Sequence, residues 1–288
     1  MEYLIHLGIL GAIYAILGIG LNLVVGFAGL LSVTHAAFFG IGAYATGIMT
    51  GIGDQGFAAS LAVGVGIAGA LSWLIGIVSA KLRGDYYALV SFGFNVIVYS
   101  VLLNWQTLTR GPLGIPGIPK PAIFGYAIRT NAQFLIFAVV TASLVYGIAR
   151  FIAASSFGRA LMAIREDEDA LRVFGYDVAA YKLWVFVIGG VLAAVAGSLF
   201  ASYISFIDPS TFTLNESVFL LALIILGGLG SVDGSVLGAL FLIALPEALR
   251  FVGFPPDIAA QTRQAAYGAL LVLLMMYRPQ GMIGKYKL

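Results

Sequence analysis

Long charge-free runs dominate this sequence and limit what the chain can fold into. Five of them contain no Lys, Arg, Asp or Glu. A helix needs roughly 20 apolar residues to cross the hydrocarbon core of a bilayer, so each run is long enough for one span and the first for two. Only 10% of the residues are charged, against about 25% in a soluble domain. The sequence therefore predicts an integral membrane protein. The runs are residues 3–53, 55–80, 86–109, 130–149 and 183–207.

These runs and the C-terminal third predict an all-α integral membrane protein with about nine membrane-embedded helices. The 37 glycines fit this class, because small residues let helix backbones approach closely in lipid. The second helix is predicted to be preceded or interrupted by irregular backbone, and the short seventh and eighth to be tilted or re-entrant. We treat residues 1–288 as one transmembrane domain. The predicted helices cover residues 3–25, 26–47, 57–80, 86–105, 132–152, 183–207, 217–232, 235–246 and 264–277.

Two polar stretches interrupt the spans and determine the predicted orientation. Residues 106–131 concentrate Pro and Gly, which indicates a long loop. Residues 151–182 carry the largest cluster of charges, with a loop at about 153–182. If this cluster is cytoplasmic, ten Lys and Arg residues lie inside and five outside, as the positive-inside rule requires. The N-terminus is then outside, the C-terminus is cytoplasmic, and residues 106–131 form an extracytoplasmic loop.

The chain lacks the residue patterns of an enzyme. It has no Cys and only two His, and it contains no HExxH, GxSxG or phosphate-binding G-x-x-x-x-G-K-[ST] sequence. We therefore predict no catalytic residues, no metal site and no ATP hydrolysis by this route. The net charge of +2 follows from basic residues beside the spans, so we also predict no nucleic-acid partner.

The charged stretch contains a predicted surface helix. In GRALMAIREDEDALRVF, residues 158–174, apolar side chains at Leu161, Ile164 and Leu171 fall on one helical face. Gly158 is predicted to precede this helix and Gly175 to end it in the left-handed conformation. Such a helix either docks a partner or simply links two spans, and composition alone favours the linker.

Four polar residues lie within predicted spans and are candidates to line a translocation pathway. Intramembrane polar side chains tend to face the interior of a helix bundle or a water-filled cavity. They also hydrogen-bond neighbouring helices without any further role, so both interpretations stay open. The candidates are Asn22, Ser32, His35 and Asn95.

Several longer motifs resemble one transporter family. They include GLLSVTHAAFFGIGAY, KLRGDYYALVSFGF, LTRGPLGIPGIP, GRALMAIREDEDALRVFGYDVAAYKL, LGGLGSVDGSVLGALF and YRPQGMIG. Together they resemble the permease subunits of bacterial branched-chain amino acid ABC importers, in particular the LivM type. The motifs follow in family order from about residue 26 to residue 284.

The resemblance implies a role and partners for the charged stretch. It would be a cytoplasmic coupling helix that sits in a groove of a separate ATPase, within a single transmembrane permease domain. The implied partners are a LivH-type second permease, two ATPase subunits that bind ATP and Mg, an extracytoplasmic binding protein and the lipid of the bacterial inner membrane. This chain itself would need no cofactor. The coupling residues carried over are Gly158, Arg159, Arg165, Glu166, Asp169, Ala170 and Gly175.

The function expected from this resemblance is ATP-driven uptake of branched-chain or other apolar amino acids. A permease for urea or short amides is the alternative within the family. From another class, a stand-alone channel or ion-coupled carrier would need an intramembrane acid or base for its ion. The residues within reach of the spans are Asp208, Glu216, Asp233, Glu247 and His35.

Overall fold

A computed structural model describes residues 2–53, 55–82, 84–123, 126–250, 268–269 and 280–284 of the chain. Within these ranges its regular secondary structure is helical apart from four strands of two residues each. The predicted all-α membrane class is confirmed. Five helices are long and apolar enough to cross a membrane, or six if one bent pair counts as a single span.

Three helices form the centre of the bundle: α1 (Glu2–Asn22), α2 (His35–Thr46) and α9 (Val178–Ile204). Helix α9 packs against α1, α2 and α3 (Phe57–Ser79). Glycines allow the closest approach. A Cβ atom on Gly42 would lie 2.1 Å from the Ala194 carbonyl oxygen, and one on Gly197 would lie 2.0 Å from that of Phe39. Packing of α2 on α9 therefore depends on the missing side chains.

Helices α3, α4 (Asp85–Asn104) and α6 (Asn131–Ala154) lie further out, with most of their surface unburied within the chain. Their exposed side chains are largely apolar, for example Leu74, Ile97 and Leu144. Exposed apolar faces of this kind suit contact with lipid or with another transmembrane subunit.

The helices are broken twice within the bundle, and the two breaks touch. Helix α1 continues through a π-helical turn at Leu23–Phe27, and residues 28–34 are irregular before α2 begins, as predicted. Helices α10 (Leu214–Gly227) and α11 (Val232–Arg250) meet at 117°. A Cβ atom on Gly26 would lie 2.6 Å from the Gly230 nitrogen. Within a membrane, irregular backbone is tolerated where it is buried in protein.

The lengths of the last helices differ from the prediction. The eighth helix is not the short element at residues 235–246, because α11 extends over 19 residues and includes Pro246. Helix α10 has 14 residues and is about 21 Å long, less than the roughly 30 Å of the hydrocarbon core. Helices occupy the first eight predicted positions. The ninth, residues 264–277, lies outside the described residues except for 268–269, so the count of nine stays a prediction.

The loop at residues 106–131 is folded against the bundle. It contains α5 (Gln106–Thr109), a 3-10 turn (Gly111–Leu113), β1 (Ile115–Pro116), β2 (Ala122–Ile123) and β3 (Tyr126–Ala127). Strand β1 pairs antiparallel with β4 (Phe206–Ile207), directly after α9, and β2 pairs with β3. The buried side chains of Ile115 and Ile118 pack near a second π-helical turn, Gly47–Ile52, beyond α2. Two further short helices, α7 (Ser156–Glu166) and α8 (Glu168–Val173), lie at the opposite end of the bundle.

Candidate functional site

The charged stretch folds as two helices, which corrects the predicted single helix. We call residues 155–177 the docking segment. Helix α7 begins three residues earlier than predicted, because the Ser155 hydroxyl accepts the Gly158 N–H at 3.3 Å and caps the helix. Gly158 therefore lies within α7. Its lack of a side chain matters there, since a Cβ atom would sit 2.4 Å from the Ile152 carbonyl oxygen.

Asp167 separates α7 from α8. Its backbone is extended, with φ −153° and ψ 101°, and its carboxylate accepts the N–H groups of Asp169 and Ala170, each at 3.0 Å. A short acidic side chain that bonds to backbone N–H groups just ahead of it favours a helix start over a helix interior. Asp167 thus ends α7 and caps the start of α8.

Gly175 ends α8 as predicted. It has φ +83°, a conformation that glycine adopts without a side-chain penalty. Its N–H donates to the Arg172 carbonyl at 3.0 Å, and the Tyr176 N–H donates to the Leu171 carbonyl at 3.2 Å. This pair of bonds is the Schellman motif of a helix C-terminus.

The docking segment is attached to the bundle at its α7 end. Leu161 and Ile164 are buried. The Arg165 guanidinium donates to the Gly26 carbonyl oxygen, in the break that follows α1. Arg159 is exposed, and its Nη1 donates to the Ala154 carbonyl at the end of α6, at 2.8 Å. Two of the predicted coupling residues therefore hold the segment in place.

A buried ion pair makes a second attachment that the sequence analysis did not assign. Lys182 Nζ lies 2.6 Å from Glu168 Oε2, and the Lys182 side chain is only 2% exposed. Arg172 contacts the other carboxylate oxygen at 2.6 Å. The pair joins the start of α8 to the second turn of α9. The available signal was a lysine in the first turns of a long apolar helix, a position where an ion needs a partner.

The outer surface of the segment combines acidic and large apolar side chains. Glu166 and Asp169 are exposed, whereas Ala170 is half-buried. Val173 and Phe174 are 87% and 78% exposed. Exposed apolar side chains beside charged ones mark interaction sites. The sequence analysis missed Val173 and Phe174, whose signal was two apolar residues directly before the predicted stop at Gly175.

Asn22 is engaged in structural contacts between the two breaks. Its Nδ2, which carries two N–H donors, lies within hydrogen-bond distance of three acceptors: the carbonyl oxygens of Gly228 and Ser231 at 3.1 and 2.9 Å and the Ser235 hydroxyl at 2.7 Å. Its Oδ1 accepts the Gly230 N–H at 3.0 Å. This network supports the interpretation of Asn22 as an interhelical link.

Ser32 and His35 are also enclosed. The Ser32 hydroxyl lies 2.9 Å from that of Thr34, and both side chains are fully buried. The His35 ring packs beside Gly20 and Gly189, where Cβ atoms would come within 3.5 and 3.3 Å of it. His35 therefore lies in the interior formed by α1, α2 and α9, and Ser32 lies in the buried irregular stretch before α2.

Asn95 borders an open space. It lines a cavity of about 270 Å³ between α4 and the start of α10. The residue is 1% exposed, and its Oδ1 has no hydrogen-bond partner within the described part of the chain. Asn95 shares this lack of a partner with His35, whose two ring nitrogens also have none among the described residues. The remaining lining residues are Val96, Tyr99, Thr213, Leu214 and Asn215.

Comparison with known proteins decides the family. The family model for the branched-chain amino acid transport system permease component matches residues 3–277. The chain belongs to this permease family. Its members are transport components, and both the multi-pass class and the resemblance from the sequence are confirmed for this permease.

Individual relatives include two types of permease. The permease protein LivM of the high-affinity branched-chain amino acid transport system of Escherichia coli (strain K12) is 35% identical, over 97% of this chain and 69% of the relative. The permease protein LivH of the same organism is 29% identical, over 96% of this chain and 92% of the relative. A probable LivM from Methanocaldococcus jannaschii is 26% identical, over 94% and 90%. No solved structure matches this permease.

Proposed function

We propose that this permease is a transmembrane subunit of an ATP-binding-cassette importer that takes up branched-chain amino acids. The similarity to LivM and LivH of one organism supports a second, homologous permease as its partner. The proposed complex also contains two ATPase subunits and an extracytoplasmic binding protein. ATP and Mg bind to the ATPases, so this chain provides the pathway and performs no hydrolysis.

The docking segment is the observation that carries this proposal. It is joined to the break after α1 through Arg165 and to α9 through Lys182, so a displacement of the segment acts on two central helices. Its exposed tip has the apolar and charged side chains of an interface. A surface fixed to the bundle and open to a partner suits the transfer of motion from an ATPase to the spans.

The proposed orientation places the docking segment in the cytoplasm and the N-terminus outside. Lys81, Arg150 and Arg159 lie at the same end of the bundle as the segment, as the positive-inside rule requires. The folded loop at residues 106–131 then faces the extracytoplasmic side, where the binding protein docks. We place this permease in the bacterial inner membrane.

An ion-coupled carrier is the second candidate function. It would need an intramembrane acid or base for its coupling ion, so the contacts of the acids near the spans test it. Asp233 accepts from Arg150 Nη1 at 3.0 Å, and Glu216 accepts from the Tyr14 hydroxyl at 2.7 Å. Asp208 caps a 3-10 turn through the Ser210 N–H. These three acids have structural partners, which favours the ATP-driven mechanism, whereas the His35 ring nitrogens have none among the described residues and the Glu247 side chain lies outside them. Uptake driven by an ion gradient without any ATPase would support the carrier instead.

The test is coupled transport by the complete complex in proteoliposomes. Glu166→Lys combined with Asp169→Lys reverses two exposed charges of the docking segment. We expect ATP hydrolysis by the complex to persist while leucine uptake falls to background. The matched control is Glu166→Asp combined with Asp169→Glu, which retains both charges and should transport normally. Unchanged coupled uptake by the charge-reversed variant would overturn the assignment of the docking segment. Urea in place of leucine tests the family alternative.

A further inference from the structure

Asn215, near the start of α10, is an exposed polar residue at the depth of the membrane interior. The next residue, Glu216, accepts from the Tyr14 hydroxyl at 2.7 Å, and Tyr14 lies near the middle of the spanning helix α1. Asn215 also lines a cavity with Val96, which lies near the middle of the spanning helix α4. Two spanning helices therefore place Asn215 close to the centre of the bilayer.

Contact with lipid would be unfavourable for the Asn215 amide. The residue is exposed on the surface of the chain, and its side chain has no hydrogen-bond partner within the part of the chain that the structure describes. Transfer of an amide into an apolar medium without a hydrogen-bond partner costs free energy. Intramembrane polar side chains therefore face a protein interior or a water-filled cavity. Since Asn215 points away from the interior of its own chain, its surroundings are water or another subunit.

The irregular stretch at residues 28–34 lies on the same face and gives an independent indication. The Val33 N–H donates to the Ser91 hydroxyl of α4 at 3.1 Å, and the Val33 carbonyl accepts from the Ser217 hydroxyl of α10 at 2.6 Å. The stretch thus lies between these two helices, yet Leu31 within it is 49% exposed. Irregular backbone within a membrane is tolerated only where it is buried in protein or lines a water-filled cavity. This part of the face is therefore also unsuited to lipid.

The centre of the bundle is closed along the described residues. The backbones of α2 and α9 approach so closely at Gly42 and Gly197 that neither position has room for a Cβ atom. Ser32 and His35 are buried there or beside it, at 0% and 1% exposure. A route through the middle of this chain would have to separate packed helices, whereas the face formed by α4 and α10 is already open.

We propose that amino acids cross the membrane along this face, which we call the pathway face. Asn215 contacts water and the amino acid in transit, and the second permease closes the opposite side. The exposed side chains of the face are apolar or neutral, including Leu31 and Val218, so an apolar amino acid can pass without being held tightly. This assignment deepens the proposed function and rests on it, since it presumes that amino acids pass through this permease. The pathway face comprises residues 28–34, 91–99 and 213–218.

The chain contains no cysteine, so single cysteines can report which surfaces contact water. Asn215→Cys probes the pathway face, and Val218→Cys, one turn further along α10 and 52% exposed, serves if Asn215→Cys does not fold. The matched control is Leu144→Cys, near the middle of α6 and 63% exposed. Labelling of this chain by a charged thiol reagent is measured in the complete complex in nanodiscs. An uncharged, lipid-soluble maleimide verifies that the control thiol is present.

We expect the two pathway variants to be labelled about tenfold faster than Leu144→Cys, or more, because the reactive thiolate forms in water and is disfavoured in lipid. Labelled Asn215→Cys should lose ATP-dependent leucine uptake in proteoliposomes, and the treated control should retain it. Labelling of both variants as slow as that of the control, or fast labelling that leaves uptake unchanged, would overturn the pathway face. The proposed function would still stand if wild type takes up leucine with ATP. If wild type shows no such uptake, the proposed function fails and the pathway assignment fails with it.

Discussion

The ion pair between Glu168 and Lys182 predicts an asymmetric response to mutation. Removing one partner of a buried pair costs roughly 3–5 kcal/mol. Glu168→Leu leaves the ammonium of Lys182, 2% exposed, without its carboxylate. We therefore expect the free energy of local opening of α8 to fall by about that amount. Lys182→Met leaves Glu168 paired with Arg172 at 2.6 Å. We expect this variant to lose about 1.5–2 kcal/mol, the lower part of the range for a hydrogen bond to a charged group. The double variant should return to within about 1 kcal/mol of wild type, because apolar replacements of a buried pair are often neutral.

Hydrogen–deuterium exchange of a peptide covering residues 168–177 measures this opening in the purified permease. A factor of ten in protection corresponds to about 1.4 kcal/mol. Glu168→Leu should therefore lower protection by roughly 150-fold or more, and Lys182→Met by roughly 10- to 30-fold. Equal losses in the two single variants, or a double variant as unprotected as Glu168→Leu, would refute the reasoning.

Three further predictions concern packing and backbone conformation. Asn22→Leu leaves several buried polar groups near Ser235 unpaired, and we expect a loss of about 2–4 kcal/mol, measured as a lower thermal midpoint in detergent; an unchanged midpoint would contradict it. Gly197→Ala places a Cβ atom 2.0 Å from a backbone oxygen and should prevent folding, so that the variant gives no monodisperse peak on size-exclusion chromatography. Gly93→Ala, with nothing within 4 Å of the added Cβ atom, should give the wild-type peak. Gly175→Ala, at φ +83° in open space, should weaken exchange protection of α8 by about 1–2 kcal/mol, and full protection would count against the left-handed stop.

The sequence predicts the positions of most helices because charge and hydropathy are local properties. The run at residues 3–53 predicts two spans, and the glycines around residue 26 indicate a break between them. The residues that pack against that break could not be predicted from a local pattern. Asn22 meets Gly228 and Ser235 across more than two hundred residues, and only the packing of α1 on α10 and α11 brings them together. The same limit explains why Asn22 and Asn95, equal as intramembrane polar residues, have different surroundings.

The docking segment contains features that the sequence predicts and features that it does not, within a few residues of each other. The stop at Gly175 was predictable because only glycine adopts that backbone conformation easily. The break at Asp167 was not, because an acidic residue after eleven helical ones fits an exposed helix surface as well as an N-cap. The role of Glu168 was hidden for another reason. Its partner Lys182 lies fourteen residues away on a different helix, so the pair emerges only from the tertiary structure.

Contact between the docking segment and an ATPase is the central claim, and site-directed crosslinking tests it most directly. The chain contains no cysteine, so Phe174→Cys introduces a single thiol at the exposed tip of the segment. Leu113→Cys, at a position 81% exposed on the opposite side of the bundle, is the control. With a photoactivatable thiol reagent in the assembled complex, we expect Phe174→Cys to form an adduct with the ATPase subunit and Leu113→Cys to form none. An ATPase adduct from Leu113→Cys alone, or none from Phe174→Cys in a complex that hydrolyses ATP, would contradict the account.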